Sequence, residues 1–597
     1  MVNSRVRPRR RVLPYLMAVV LAIGLIAGLR WFFGGGGAEN EENRAACQGQ
    51  AVTIRIASSQ DKIATLREAA KEYSGRTVAG HCTVVTVDAV NSGRSMRTLA
   101  KGWDERTDGK RPDVWTPSAS TWLALLRQQV GGSDHTVPVT DGKPPSIVSS
   151  PMVIAMPRPM AEALGWPGKE IGWSDLARLA TDPQGWAAHG HPEWGRFKLG
   201  KTNPNFSTSG LSATVGAYFA ATGATSDLTS ADVADPKTRE FVGSVEQSIV
   251  HYGDVSTTFM DNLLRADDRG SAMSYISAVT IDEKTVSDYN QGNPSGEPET
   301  QGKHAAPRTR LVAVNPKEGT LLTDHPYIEL TWMDPAKKAV ADDFLTYLHS
   351  DRIQSRFQSY GFRGFDGKPG PMAVEANGIL PNAKITTLSP PSPAVLDKVL
   401  RSWAELRKRA NVLIVVDKSG SMETEVSGTG ESRLQLASKA AINALPQFRK
   451  DDRVGLWSFS VAEDGENDYR ELVPVDAISN TGPELTRQLG MLTAGGETGL
   501  YDTALAAVER MRAAKDLEAI NAVVFLTDGK NEKGNGIDLD NLLRRLTPEV
   551  RLFTIGYGEG ADQDVLRRIA EATDGAAYDS SDASSIDRIF TSVISNF

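Results

Sequence analysis

The sequence predicts an α/β fold built mostly from parallel sheets. Residues 412–416 form a continuous apolar run, which is typical of a parallel strand that helices cover on both faces. Candidate strands and helices alternate on both sides of this run, and that order produces parallel sheets. The chain has 597 residues, of which 40% are hydrophobic, so it is long enough for about two to four globular domains. Its net charge of -8 and lack of a basic stripe predict no nucleic-acid partner.

The chain opens with a candidate membrane anchor. An apolar stretch at residues 12–33 is long enough to cross ~30 Å of hydrocarbon. Five arginines precede it, so the positive-inside rule places residues 1–11 in the cytoplasm. We therefore expect a single-pass protein of the cell membrane whose remaining domains are extracytoplasmic. A cleaved signal peptide is the alternative, because Gly36 and Ala38 offer a small-residue cleavage site.

The two cysteines, Cys47 and Cys82, lie just ahead of candidate strands at residues 52–57 and 84–87. If those strands are parallel neighbours, their starting ends are adjacent. An extracytoplasmic compartment then permits a disulfide between the two residues. The alternative is two separate buried thiols.

The first predicted domain follows a βαβαβα order, which indicates a parallel sheet. Small hydroxyl residues come directly after each strand, where helix starts offer free N–H groups to anions. Residues 151–157 form an apolar segment suited to a crossing between two lobes. The other predicted elements are a helix at 62–73, a strand at 113–115 after a loop at 91–95, a strand at 309–314 and an amphipathic helix at 339–360.

This layout, with the turns SSQ, NSGRS and NFSTSG, resembles the type II periplasmic solute-binding fold, in which crossing strands join two α/β lobes. The resemblance implies a small solute, such as an oxyanion, bound at these turns. Each hydroxyl there could instead only cap a helix. The candidate ligand contacts are Ser58, Ser59, Ser92, Ser95, Ser118, Thr208 and Ser209.

Oxygen-bearing side chains cluster after the strands of the last domain. Asp417, Ser419 and Ser421 follow the apolar run on one short turn, and Thr498 lies on a glycine-rich turn. Asp528 ends a second apolar strand at residues 522–526. Ligand sites of open α/β sheets lie at such strand ends, and hard cations prefer oxygen ligands. A serine-rich turn that binds no metal is the alternative.

The D-x-S-x-S of Asp417, Ser419 and Ser421, followed by Thr498 and then Asp528, resembles the metal-ion-dependent adhesion site of von Willebrand factor A (VWA) domains. The resemblance implies a doubly wound, mostly parallel sheet and a bound Mg²⁺, or Mn²⁺ or Ca²⁺. It also implies that the three hydroxyls contact the cation, that the two carboxylates hold it directly or through water, and that a partner's Asp or Glu fills the open position. Glu497 departs from the pattern, since its carboxylate could fill that position from within.

These expectations divide the chain into six segments. They are a cytoplasmic terminus at 1–11, a transmembrane helix at 12–33, a linker at 34–50, a solute-binding-like domain at 51–388, a proline-rich linker and helix at 389–410, and a VWA domain at 411–597.

Together the segments predict a membrane-anchored extracytoplasmic binding protein that is not an enzyme. The candidate cation site lacks a base and nucleophile pair, and the sequence carries no phosphate-loop, H-E-x-x-H, C-x-x-C or G-x-S-x-G signature. One alternative is a substrate-binding receptor of an ABC-type importer. Another is an accessory subunit for assembly or metal insertion alongside an ATPase.

Overall fold

The computed structural model describes Cys47 and residues 51–105, 108–131, 136–139, 142–582 and 585–597. The transmembrane helix predicted at residues 12–33 lies outside these ranges. Among the residues that are described, no helix combines the length and apolar character needed to span a bilayer.

The first domain contains short and long strands in two sheets. They are β1 (Ala51–Ser58), β2 (Thr77–Val78), β3 (His81–Ala89), β4 (Val114–Thr116), β5 (Val148–Pro157), β6 (Leu199–Gly200), β7 (Ala278–Asp282), β8 (Leu311–Val314), β9 (Leu322–Thr323), β10 (Ile328–Glu329) and β11 (Arg363–Gly364).

Its helices surround both sheets. They are α1 (Ile63–Tyr73), α2 (Ser92–Lys101), α3 (Thr121–Val130), α4 (Arg158–Ala163), α5 (Trp173–Thr181), α6 (Thr208–Thr222), α7 (Ser230–Ala234), α8 (Pro236–Gln247), α9 (Thr257–Asp268), α10 (Ala272–Tyr275), α11 (Glu283–Asn290), α12 (Pro335–Leu348) and α13 (Asp351–Ser359).

The two sheets form two lobes. In the first, β1, β3 and β4 are parallel, with β10 and β2 at the edges in the order β10-β4-β1-β3-β2. In the second, β5 pairs with β7, β8, β9 and β11, and β6 pairs with β7. All of β5 is buried, which explains the apolar sequence predicted to cross between lobes.

The predicted disulfide is confirmed. Because β1 and β3 pair in parallel with Ala51 opposite Cys82, the chain just ahead of β1 lies beside the start of β3. Cys47 is bonded to Cys82 there, with 5.9 Å between their Cα atoms.

The second domain follows a linker helix. Its elements are α14 (Pro393–Leu406), β12 (Arg409–Asp417), β13 (Glu425–Val426), β14 (Glu431–Ser432), α15 (Arg433–Ala444), β15 (Arg453–Asp464), β16 (Asn467–Ala477), α16 (Ile478–Gly490), α17 (Leu500–Ala513), β17 (Ala519–Thr527), α18 (Leu539–Arg545), β18 (Arg551–Tyr557), α19 (Gln563–Glu571), β19 (Ala577–Ser580) and α20 (Ile586–Ile594).

The sheet of this domain has the order β16-β15-β12-β17-β18-β19, and β16 is its antiparallel edge. The apolar run predicted to be a central parallel strand is β12, which pairs in parallel with β15 and β17. Helices cover both faces, because two separate apolar clusters contain alternate residues of β12. This is the doubly wound sheet that the sequence predicts.

The two domains are packed against each other through the second lobe and α14. Glu246 of α8 accepts hydrogen bonds from Tyr252 at 2.6 Å and from Trp403 of α14 at 3.0 Å, and it pairs with the buried Lys201. Near the carboxyl terminus, the Asn596 carbonyl accepts a hydrogen bond of 2.9 Å from the Tyr252 amide. The buried charge of Glu246 therefore has three partners, as a buried carboxylate requires.

Three sequence-based boundaries are wrong. The predicted loop at residues 91–95 contains the first turn of α2, since Asn91 caps the helix by accepting a hydrogen bond from the Arg94 amide. The helix predicted at 339–360 is two helices, α12 and α13, with Ser350 between them in an extended conformation. The linker and helix predicted at 389–410 end earlier, because α14 stops at Leu406 and Arg409 begins β12.

Candidate functional site

The candidate cation site lies at the carboxyl edge of the second domain's sheet. Asp417 is the last residue of β12, and Asp528 directly follows β17. Because these strands are parallel neighbours, both carboxylates leave the sheet at the same edge. Each is almost completely buried.

Hydrogen bonds connect the residues of this edge. The Oγ atoms of Ser419 and Ser421 are 3.1 Å apart, and Ser421 Oγ donates to Asp528 Oδ1 at 2.6 Å. Asp417 Oδ1 accepts from the Ser419 amide at 2.7 Å, and its Oδ2 accepts from Thr527 Oγ1. Asp417 therefore stabilises the turn that carries the two serines.

Thr498 is brought to the same edge by a docked loop. The Gly420 amide donates to the Gly496 carbonyl at 2.9 Å, and the Thr498 amide donates to Glu532 Oε2 at 2.8 Å. Thr498 is buried, and its Oγ1 would lie only 2.8 Å from a Cβ atom placed on Gly529, the residue after Asp528. The Thr498 hydroxyl therefore lies beside the Asp528 turn, and a side chain at Gly529 would displace it.

The electrostatics of the edge combine two carboxylates and one arginine. Arg433, the first residue of α15, donates from Nη1 to Asp528 Oδ2 at 2.7 Å. Burial, and to a smaller extent the nearby Asp528 carboxylate, raise the pKa of Asp417 to about 6, although hydrogen bonds from Thr527 and Ser419 oppose the shift.

These donors suit a hard divalent cation. Three hydroxyls and two carboxylates supply the oxygen ligands that Mg²⁺ selects. The positive charge of Arg433 balances one of the two carboxylates, so one negative charge remains for the cation to neutralise. Over the described ranges, no group of three or more His, Cys, Asp or Glu side chains is placed to hold a metal. A cation here would depend on hydroxyls as much as on carboxylates.

In the structure, the Glu497 side chain is not hydrogen-bonded to the residues of the candidate cation site. It is exposed, and its backbone carbonyl accepts a hydrogen bond of 2.7 Å from the Val461 amide. Within the described part of the chain, its carboxylate makes no hydrogen bond or ion pair. It is therefore free to reorient.

A second candidate site is a cleft of about 590 Å³ between the two lobes of the first domain. This volume falls in the range of small-molecule sites. Five of the predicted ligand contacts line it, namely Ser59, Ser92, Ser118, Thr208 and Ser209. The amino-terminal ends of α2 and α6 lie at the cleft, so the positive ends of two helix dipoles face it.

The other two predicted ligand contacts do not line the cleft. Ser58 is fully buried and donates to the Ser59 carbonyl at 3.0 Å. Ser95 Oγ accepts a hydrogen bond of 2.8 Å from Trp115 Nε1. Both hydroxyls therefore form hydrogen bonds within the first domain and do not face the cleft.

Several residues of the candidate cation site were missed from the sequence. Thr527 and Glu532 hold Asp417 and Thr498, and Arg433 pairs with Asp528. Thr527 lies next to Asp528 in the chain, so its position alone could have suggested it. Arg433 gave no such signal, because only the folded chain brings α15 to this edge.

Comparison with known proteins identifies both domains. A model of the bacterial extracellular solute-binding protein family matches residues 54–363, just over half of the chain, and a model of the von Willebrand factor type A domain matches residues 411–592. A comparison with curated proteins found no match.

Solved structures with similar folds include representatives of each domain. The periplasmic binding protein AfuA from Actinobacillus pleuropneumoniae, solved with fructose-6-phosphate bound, is 13% identical over 60% of this chain and 99% of that one, with a TM-score of 0.39. The sulfate-binding protein SubI from Mycobacterium tuberculosis H37Rv is 17% identical over 53% and 88%, with a TM-score of 0.32.

A von Willebrand factor type A protein from Catenulispora acidiphila is 23% identical over 31% of this chain, with a TM-score of 0.27. This chain covers 42% of that protein's length. The chain belongs to the bacterial extracellular solute-binding protein family and carries a von Willebrand factor type A domain after its solute-binding domain.

Proposed function

We propose that this protein is a membrane-anchored extracytoplasmic binding protein with two binding sites and no enzymatic activity. The solute-binding domain takes up a small solute in the cleft between its lobes. The VWA domain holds Mg²⁺, or Mn²⁺ or Ca²⁺, and through it binds an Asp or Glu of a protein partner. The observation that carries the proposal is the meeting of Asp417, Ser419, Ser421, Thr498 and Asp528 at one sheet edge.

The chain's own residues would act as a rigid ligand set. Asp417 accepts one hydrogen bond from the Ser419 amide, which fixes the serine turn, and one from Thr527, which ties the carboxylate to the end of β17. Arg433 holds one oxygen of Asp528 and leaves the other oriented toward Ser421. A bound cation would supply an open coordination position for a partner's carboxylate oxygen.

Capture of the partner from membranes with and without Mg²⁺ tests the cation-dependent half of the proposal. The full-length protein, immobilised in detergent, should retain a partner in Mg²⁺ and release it in EDTA. The Asp417→Ala variant should retain none in either condition. A partner retained equally by both proteins in EDTA would refute a role for this site.

The proposed membrane anchor is tested by finding which side of the membrane each part of the chain occupies. Protease added to intact cells should remove both domains and spare a small amino-terminal fragment, because the arginines ahead of residues 12–33 stay inside. Mature protein beginning near Glu39 in the medium would mean that the signal is cleaved. A cytoplasmic carboxyl terminus in a reporter fusion would instead favour a subunit that works with an ATPase.

A transport receptor is the second candidate function, and the cleft favours it. Its volume of about 590 Å³ and its hydroxyl lining suit a small polar solute that an importer could receive. Ligand at about 100 times its dissociation constant should stabilise the fold by about 2.7 kcal/mol. If no oxyanion, sugar or amino acid shifts the melting temperature, the receptor role loses its support.

A further inference from the structure

The last helix of the VWA domain forms part of the wall of the solute cleft. Arg588, Thr591 and Ser592 of α20 line the cleft together with residues of both lobes. None of these residues belongs to the solute-binding domain. The cleft is therefore enclosed by three parts of the chain rather than by two lobes alone.

Direct hydrogen bonds hold α20 and the residues after it in this position. Asn203 Nδ2 donates to the Ser595 carbonyl at 3.0 Å, and the Tyr252 amide donates to the Asn596 carbonyl at 2.9 Å. Ser592 is hydrogen-bonded to the Asp254 carboxylate, which also lines the cleft. All three partners of the terminus lie in the second lobe.

Cationic side chains of α2 and α20 line the same part of the cleft. Arg94, Arg97 and Lys101 of α2 line the cleft, and so does Arg588. Two of these cations have partners in the fold. Lys101 pairs with Asp108 at 2.9 Å, and Arg97 donates to the Asn205 carbonyl at 2.6 Å.

Arg94 and Arg588 are different. In the ranges that the structure describes, neither guanidinium has a carboxylate oxygen within 4.0 Å or donates a hydrogen bond. Burial, together with the nearby Arg588, lowers the pKa of Arg94 to about 10, although the Asp587 and Asp108 carboxylates oppose the shift. Burial and Arg94 do the same to the pKa of Arg97.

Asp587 and Asp108 offset part of the positive charge at Arg94, but neither carboxylate lies within 4.0 Å of its guanidinium, and Asp108 already pairs with Lys101. Asp288 pairs with Lys284 at 2.6 Å, and the Asp282 carboxylate caps α11 by accepting from the Thr285 amide at 3.0 Å. These carboxylates have partners of their own. An anion between Arg94 and Arg588 would receive charge-assisted hydrogen bonds and relieve the repulsion of the two arginines.

We propose that α20 completes the solute site, and that Arg94 and Arg588 together bind the anionic group of a small solute carrying a phosphate-like dianion. The guanidinium forks match the geometry of phosphate and sulfate oxygens. The cleft also has room for an organic part beyond the anionic group. This inference rests on the solute-binding half of the proposed function and not on the cation site.

Titration of full-length protein with inorganic phosphate, sulfate, a hexose 6-phosphate and the matching neutral hexose tests the inference. Calorimetry should show binding of the phosphorylated hexose and of at least one inorganic anion, and none of the neutral hexose. Arg588→Gln and Arg94→Gln should each weaken anion binding about 10- to 100-fold, because each removes charge-assisted hydrogen bonds. Arg568→Gln, on an exposed face of α19 outside the cleft, is the matched control and should bind as the wild type does.

Thermal melting without ligand shows whether the Arg588→Gln variant still folds. At low ionic strength Arg588→Gln should melt at the same or a higher temperature than the wild type, since one of two repelling charges is gone. Anion binding unchanged in Arg588→Gln would overturn the composite site and leave the solute-binding proposal standing. Binding of the neutral hexose but of no anion would overturn the anionic solute class. No binding of any probe to the wild type would also contradict the anion site.

Discussion

Ser421 donates a hydrogen bond of 2.6 Å to Asp528 Oδ1, and Arg433 donates at 2.7 Å to the other oxygen of the same carboxylate. The buried Asp528 charge is thus shared between a candidate ligand of the cation and an arginine that the sequence did not point to. Arg433 therefore sets the charge that a cation at this edge would meet.

Replacing Arg433 with Gln should strengthen cation binding and weaken the cation-free fold. The site would gain one net negative charge, which attracts a divalent ion more strongly. Without the ion, loss of the charge-assisted bond to Asp528 should cost about 2 kcal/mol of unfolding free energy. Mg²⁺ titration and thermal melting in EDTA measure the two effects. Unchanged values in both assays would show that Arg433 does not act on this carboxylate.

The central strand and the strand ends were predictable, because they follow from local patterns. Residues 412–416 are apolar without a polar face, so a central parallel strand was expected and β12 is one. Parallel neighbours end at one edge, which brought Asp417 and Asp528 together without any knowledge of the loops. The disulfide followed from the same reasoning about strand starts.

Long-range packing was not predictable in the same way. The period of apolar residues continues across Ser350, so the sequence predicts one helix where the extended conformation of that serine separates α12 from α13. The elements α16, α18 and β19 are also absent from the sequence-based prediction. No local pattern tells that α20 lines the cleft of another domain, since its apolar face suits any helix that packs on a sheet.

Breaking the disulfide should destabilise the first lobe. The bond closes a loop with a sequence separation of 35, for which the chain-entropy model gives about 3–4 kcal/mol. Paired substitution Cys47→Ser and Cys82→Ser should lower the unfolding free energy of the solute-binding domain, measured by urea titration, by that amount, and the urea midpoint should fall with it. Wild-type protein in reductant is the control and should shift with the variant. Equal midpoints for oxidised and reduced protein would contradict the prediction.

Gly93→Ala should hold the two lobes apart. A Cβ atom at Gly93 would lie 2.4 Å from the Asn205 carbonyl oxygen and 2.8 Å from the Trp122 ring. The Gly93 amide also donates to the Phe206 carbonyl at 3.1 Å, a bond between lobes that the methyl group would strain. Small-angle scattering should report a larger radius of gyration, with Gly490→Ala, where nothing lies within 4 Å and φ is not positive, as the control. An unchanged radius would mean that the lobes do not meet here in solution.

Asp254→Asn should stabilise the protein at neutral pH and have less effect in acid. Burial raises the pKa of Asp254 from 3.8 to about 6, while a hydrogen bond from Ser592 opposes the shift. Stability from this group is complete below pH 3.8 and is lost as the pH rises through about 6, because the folded state then holds a buried charge. Melting temperatures at about pH 5 and about pH 7.5 should therefore differ more for the wild type than for the variant. The same pH dependence in both proteins would contradict this assignment.

Calorimetric titration of the full-length protein with Mg²⁺ tests the central claim most directly, with Asp417→Ala and Glu497→Gln as the two variants. The wild type should bind, and Asp417→Ala should bind at least about tenfold more weakly, since it loses a ligand or the group that orients the serine hydroxyls. Glu497→Gln should bind as the wild type does, because the Glu497 side chain is exposed and has no partner among the described residues. Equal heats from the wild type and Asp417→Ala would mean that this cluster does not hold the cation.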